Sequence, residues 1–200
     1  MCTHYRVTSD PEKLRQRFGV TATRRANLPP FDDIFPNREG PVVRADAEGR
    51  REIATLLWGF PPPDGSGQPV VNVRNLASPF WRTWLSKPAQ RCLVPVDRFS
   101  EWTSAPDPAT GRKKKAWFTL KDNEPFAFAG IWRPGLRPDE PARYAFLTTM
   151  ANAFVATVHP KAMPVILAPQ DYDRWLTAPY PEITPLARAF PDAEMTLVDG

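Results

Sequence analysis

Cysteine and histidine are scarce in this sequence, with two of each among 200 residues. Two cysteines exclude a disulfide scaffold. Cys2, His4, Cys92 and His159 also lack the close-spaced pairs of a zinc site, so no metal and no cofactor is expected. No apolar run approaches the ~18 residues that cross a bilayer, which excludes a spanning helix and leaves no membrane partner to expect. A basic-then-apolar leader is missing too, and the expected compartment is the cytoplasm. Neither a glycine-rich phosphate loop nor a GxSxG elbow occurs, which sets aside P-loop and α/β-hydrolase chemistry.

Proline is abundant, with 25 residues against 10 glycines. It removes an amide donor and fixes φ, so elements are expected to be short and joined by ordered turns. A hydrophobic content of 42% and an aromatic content of 12% suit a chain with a real core. The length suits one domain, residues 1–200, with monomer the default. The net charge of +4, with arginine far outnumbering lysine, permits an anionic partner without requiring one.

Local patterns predict an α+β domain dominated by strands. After a short first strand, Ser9 reads as a cap before Pro11 and Glu12, with Gly19 as the stop. Residues 27–40 read as irregular. Residues 41–45 and 51–60 read as strands joined by a turn, and residues 61–69 as a loop. Residues 70–75 read as a short strand, residues 78–87 as a helix capped by Ser78, and residues 91–102 as a strand running into a turn. Residues 116–121, 126–132 and 143–149 resemble a β-meander in composition. A short helix at 152–158, a buried strand at 163–168, helices at 169–178 and 184–190, and a strand at 195–199 complete the pattern. The sum is a curled, barrel-like sheet with short peripheral helices.

The opening "MCTHYRV" places a cysteine directly after the initiator. Once Met1 is trimmed, Cys2 carries a free α-amine and a thiol on one carbon skeleton. Glu101 lies between aromatic neighbours in "RFSEWTS", where burial would raise a carboxyl into the range useful for proton transfer. Asn72 and Arg74 in "NVRN" share one strand face and make a clamp for phosphate or carbonyl oxygen. His159 precedes the apolar "MPVIL", and His4 shares a face with Cys2 in an extended terminus. The run "GRKKK", ending at Lys115, reads as a solvated turn. Trp58, Trp117 and Trp132 read as core residues, and Trp81 and Trp84 as one packed helix face.

In this order and spacing, "MC", "WGF", "NVRN", "FSEW" and "HPKAMPVIL" resemble the SOS response-associated peptidase family, whose members shield abasic sites in single-stranded DNA. The resemblance runs over nearly the whole chain. It implies bifurcated, barrel-like β-sheets and single-stranded DNA as the partner. It implies that the Cys2 amine condenses with the abasic aldehyde and that the thiol then closes a thiazolidine. Glu101 matches the family's proton-shuttling glutamate, and His159 the histidine that opens the sugar ring and assists reversal. Asn72 matches the orienting asparagine and Arg74 the phosphate-holding arginine. Trp58 matches the tryptophan of a "WG" pair and is carried as a DNA-contact residue beside its structural reading. Removal of Met1 has been viewed in this family as autoproteolytic, hence the peptidase label.

Three stretches depart from the family pattern. Thr3 and His4 replace the usual continuation "GR", "DDIFPN" replaces "YNVAP", and "HPKAMP" replaces "HDRMP" with one extra residue. Lys161 then stands as the candidate phosphate ligand in place of an arginine. Two other readings stay open: an N-terminal nucleophile hydrolase using the Cys2 thiolate, and a non-covalent single-stranded DNA-binding module.

Overall fold

The structure, a computed structural model, describes residues 2–22, 29, 31–62, 65 and 67–199. Within these residues the chain begins with β1 (Tyr5–Val7), α1 (Pro11–Arg17) and β2 (Phe31–Ile34). The strands β3 (Glu39–Ala45), β4 (Arg51–Trp58) and β5 (Asn72–Val73) lead to α2 (Pro79–Leu85). Next come β6 (Arg91–Val96), β7 (Arg98–Trp102), β8 (Lys115–Leu120), β9 (Phe126–Arg133) and β10 (Arg143–Thr149). The last part holds α3 (Ala153–Ala156), β11 (Met163–Pro164), β12 (Ile166–Leu167), α4 (Tyr172–Thr177), α5 (Tyr180–Ile183) and β13 (Met195–Val198).

These strands form two sheets, in a mixed α+β fold with few and short helices. One sheet is antiparallel in the order β13-β8-β7-β1-β2. The other runs β11-β10-β4-β3-β6-β9-β12 and closes on itself, because β10 pairs with both β4 and β9. The curled sheet expected from the sequence is therefore a ring of five strands, carrying β5 alongside β10.

Several elements differ from their sequence patterns for local reasons. Residues 91–102 form two strands in different sheets, and the chain changes sheet at Asp97. There the Asp97 backbone N–H donates to Arg6 O (2.9 Å), while its carboxylate accepts from Ser9 N (2.7 Å) and Ser9 Oγ (2.6 Å). Ser9 is thus committed to this corner, and Asp10 caps α1 instead, accepting from Glu12 N at 2.8 Å. Likewise β8 and β9 do not pair: the meander is broken by a second sheet change, and only β9–β10 follows the expected order.

The predicted strand at 163–168 is split at Val165, which donates to Leu147 O and accepts from Ala129 N, both at 2.9 Å. One residue thereby bridges β10 and β9, leaving β11 on one and β12 on the other. Residues 31–34, expected to be irregular, form the edge strand β2, which buries only Ile34. At 184–190 the helical pattern yields one 3-10 turn, Thr184–Leu186, and α5 precedes it. The loop expected at 61–69 lies partly outside the described residues, as do parts of 27–40.

The core fills the space between the sheets. Phe128 of the ring meets Tyr5 and Phe99 of the antiparallel sheet at centroid distances of 6.0 and 5.6 Å, and Phe146 at 4.8 Å. These separations suit edge and tilted aromatic packing. Tyr5 and Tyr144 share a hydroxyl–hydroxyl hydrogen bond across the sheets. No helix among the described residues is long and apolar enough to cross a membrane.

Candidate active site

Cys2 leads into β1 and is completely buried. Its position is held from both sheets. Ser100 N on β7 donates to His4 O at 3.0 Å, extending the β1–β7 pairing toward the terminus. From the ring side, Asn72 Nδ2 on β5 donates to Cys2 O at 3.1 Å. Pairing of Asn72 with Phe146 and of Val73 with Leu147 fixes β5 on β10, so the amide is presented by a strand rather than by a loop.

Glu101 is 3% exposed and lies on β7, not at the surface turn that its sequence context allows. Burial raises its carboxyl to about 7. The Cys2 thiol is pushed well above its ordinary value, first by burial and then by the negative charge of Glu101. A thiol and a carboxyl therefore share one desolvated space, in which the thiol stays protonated at neutrality while the carboxyl is poised between its two forms.

His159 follows α3, a single turn capped by Asn152, whose Oδ1 accepts from Val155 N at 2.8 Å. The backbone of His159 then bonds to Val155 O at 2.8 Å, which fixes the ring's origin. Its Nδ1 stands 3.9 Å from Glu101 Oε2. Burial, followed by the positive charges of the terminal amino group, Lys161 and Lys113, lowers its pKa and favours the neutral imidazole at pH 7. Cys2, Asn72, Glu101 and His159, separated by as many as 157 positions in sequence, converge on one place where the two sheets meet.

The residues read as DNA contacts divide. Arg74 is exposed beyond β5, with Nη2 at 2.7 Å from Met150 Sδ, and Lys161 is exposed two residues past His159. Trp58 does not fit that role. It is fully buried, donates from Nε1 to Val71 O at 3.2 Å, and packs on Phe146 and Tyr5. No face of its ring is open to a base, and its place is in the core. Trp117 is also buried as expected, whereas Trp102, beside Glu101, is 50% exposed.

His4 is neither a ligand nor a free contact. Its Nε2 meets Asp33 Oδ1 at 2.5 Å, and its Nδ1 meets Ser100 Oγ at 3.1 Å and Lys115 Nζ at 2.9 Å. Its ring stacks on Phe35 at 4.2 Å. Lys115 was the least visible of these residues in the sequence, where it closes a run of charges. The available signal was its spacing of two from Trp117 in an apolar strand, which turns both side chains to one face. Among the described residues no group of three or more His, Cys, Asp and Glu could hold a metal ion.

A chain ordered this way, with a buried N-terminal cysteine, a desolvated glutamate and a histidine at the meeting of two sheets, has clear relatives. The family model for the SOS response associated peptidase (SRAP) matches residues 1–199, and the chain belongs to that family. A protein of known structure from Bordetella bronchiseptica is 28% identical over 98% of both chains, with a TM-score of 0.80. A protein from Bacteroides thetaiotaomicron shares the fold at a TM-score of 0.82 and 21% identity, over 98% of this chain and 90% of its own. A phage-related protein from Bordetella bronchiseptica does so at 0.77 and 21%, over 98% and 93%. No curated protein matches the chain.

Proposed function

We propose that this member of the family captures abasic sites in single-stranded DNA by a covalent thiazolidine link to Cys2, exposed as the terminal residue by removal of Met1. The observation that carries this reading is the sharing of one desolvated space by the Cys2 thiol and the Glu101 carboxyl, beside a neutral His159.

An abasic sugar equilibrates between a closed hemiacetal and an open aldehyde. His159, neutral at pH 7, takes the proton of the anomeric hydroxyl and assists opening. The neutral α-amine of Cys2 adds to the aldehyde carbon to give a carbinolamine, and loss of one water leaves an imine. The Cys2 sulfur then bonds to the imine carbon, and the thiol proton moves by way of Glu101 to the ring nitrogen. The net change is one C–N and one C–S bond formed and one water released. A carboxyl that titrates near 7 both accepts and returns protons at cellular pH. Asn72 holds the Cys2 carbonyl, which fixes the amine relative to the lesion. Arg74 and Lys161 supply phosphate contacts from the rim.

The hydrolase reading fits less well. A cysteine hydrolase depends on a thiol made acidic by its surroundings, and burial here does the opposite. Packed helical layers are also missing among the described residues, whose α-helices span at most seven residues. The test is intact mass before and after incubation with single-stranded DNA bearing one abasic site. The expected product has lost Met1, carries one oligonucleotide less one water, survives heat and detergent, and is absent for Cys2→Ala. A processed protein that forms no such product overturns the proposal.

A further inference from the structure

The hairpin between β7 and β8 leaves the site at Trp102 and returns at Lys115, which the register sets directly opposite Trp102. Its start is anchored to the His159 loop by Ser104 N donating to Val158 O at 3.0 Å. The lysine run at 113–115 is therefore not a remote solvated turn, because its base is tied to the segment that carries His159. Lys115 is the most tightly positioned of the three. Its ammonium donates to His4 Nδ1 and lies 5.0 Å from the Trp102 ring centre, with Phe35 and Trp117 at 5.8 and 5.9 Å.

Those partners hold a cation without neutralising it. His4 is turned by Asp33, which accepts from its Nε2–H and also from Arg6 Nε at 3.0 Å, so that carboxylate is already engaged. Lys114 is paired with Asp107, but neither Lys113 nor Lys115 has an ion-pair partner among the described residues. An ammonium has three donors, and the imidazole uses one of Lys115's. Arg74 is the counterpart on the ring side, lying against the exposed thioether of Met150, again with no carboxylate partner among the described residues. Each sheet thus presents a cation resting on an exposed apolar side chain, Lys115 beside Trp102 and Arg74 beside Met150.

We propose that Lys115, with Lys113, forms a second phosphate-binding subsite that grips the DNA strand on the side of the lesion opposite Arg74. This rests on the reading of the site as one for single-stranded DNA. The phosphate meets the free N–H donors of Lys115, and Trp102, exposed on the same face, supports the ammonium as the strand turns inward to Cys2. The departure at position 4 then has a physical account, since His4 serves to position the lysine that makes the contact.

The test uses equilibrium binding to oligonucleotides carrying a tetrahydrofuran abasic analogue, which has no aldehyde and forms no covalent link. One oligonucleotide has nucleotides only 5′ of the analogue, another only 3′, and a third has both. Lys115→Met, which keeps the stem, and Lys113→Ala are compared with Arg74→Ala and wild type. Each lost phosphate contact is expected to lower the slope of log K against log salt by about 0.7. The lysine variants should show this on one single-flank oligonucleotide and Arg74→Ala on the other. Lysine variants that leave every slope unchanged, or that act on the same flank as Arg74→Ala, overturn the subsite. Weaker binding at an unchanged slope also overturns it, by assigning Lys115 a packing role. Failure of the covalent reading would appear separately, as no adduct between wild type and aldehyde-bearing DNA.

Discussion

Glu101 Oε2 lies 3.9 Å from His159 Nδ1, a strand residue of the antiparallel sheet facing a loop that leads into the ring. Burial moves the two in opposite senses, raising the carboxyl to about 7 and lowering the imidazole. Near pH 7 the carboxyl is therefore poised between its two forms beside an imidazole that favours its neutral form, which suits proton exchange at this site.

Glu101→Gln separates chemistry from stability. Adduct formation in wild type is expected to rise through pH 7 as Glu101 becomes a base, with a second rise near 8 from the α-amine. The variant should lose the limb near 7 and react about 100-fold more slowly, read by gel-shift rates on abasic DNA. Stability should move the other way. A carboxyl raised in the folded state binds more protons there than in the unfolded chain, so wild-type stability falls as pH rises from about 4.5 to about 7. The loss is at most about 3 kcal/mol. Glu101→Gln should thus gain stability over wild type at pH 8 and little at pH 4, measured by urea melts.

Gly40→Ala tests the join between the sheets. A Cβ at Gly40 would collide with the hydroxyls of Tyr5 and Tyr144, which are hydrogen-bonded to each other. Expected destabilisation is about 1–3 kcal/mol. Adding Tyr144→Phe removes one colliding oxygen and should restore part of it, seen as a higher denaturation midpoint for the double variant than for Gly40→Ala alone.

How much of this was legible in the sequence depends on the range of the deciding contact. Pro11 and Gly19, Pro79 after Ser78, and the alternating β-branched strands declare α1, α2 and most of the sheet residues locally. The assignment of strands to sheets does not, because Asp97 turns the chain through bonds to Ser9, 88 residues away. Glu101 was legible as an unusual carboxylate from its aromatic neighbours. Its burial depends on the other sheet, and so does the demotion of Trp58, whose apolar strand was a better guide than its motif. Lys115 was hardly legible because a charge run has no periodicity of its own, and only the spacing of two from Trp117 marks the member that turns inward.

Arg91→Met tests a buried charge that serves only the fold. Arg91 is 1% exposed, and its guanidinium donates to Trp175 O at 2.7 Å and Ala178 O at 2.5 Å, at the C-terminal end of α4. Burial lowers its pKa to about 10, so it remains charged under ordinary conditions. Methionine matches the stem but leaves two carbonyls without donors. The expected cost is about 2–4 kcal/mol in urea unfolding, with adduct formation by the folded fraction unchanged, because the guanidinium bonds to the end of α4 and not to Cys2, Asn72, Glu101 or His159.

Asn72→Ala tests positioning at the nucleophile. The amide makes one bond to the Cys2 carbonyl, at 3.1 Å, and its Oδ1 is buried with no hydrogen-bond partner among the described residues. A buried acceptor left open costs stability unless something donates to it, so its place beside Cys2 suits use during the proposed reaction. The carbinolamine hydroxyl and the α-amine are the donors that the proposed steps bring there. Alanine should leave the fold intact, since β5 keeps its backbone pairing with β10. Adduct formation should slow by roughly 100-fold, the cost of misplacing a reacting group by about 1 Å. Asn72→Asp supplies the acceptor but not the donor to Cys2 O. If holding the carbonyl is the main role, the aspartate variant should be as slow as alanine. If the open acceptor matters more, it should recover most of the rate. A rate equal to wild type for alanine would remove Asn72 from the site.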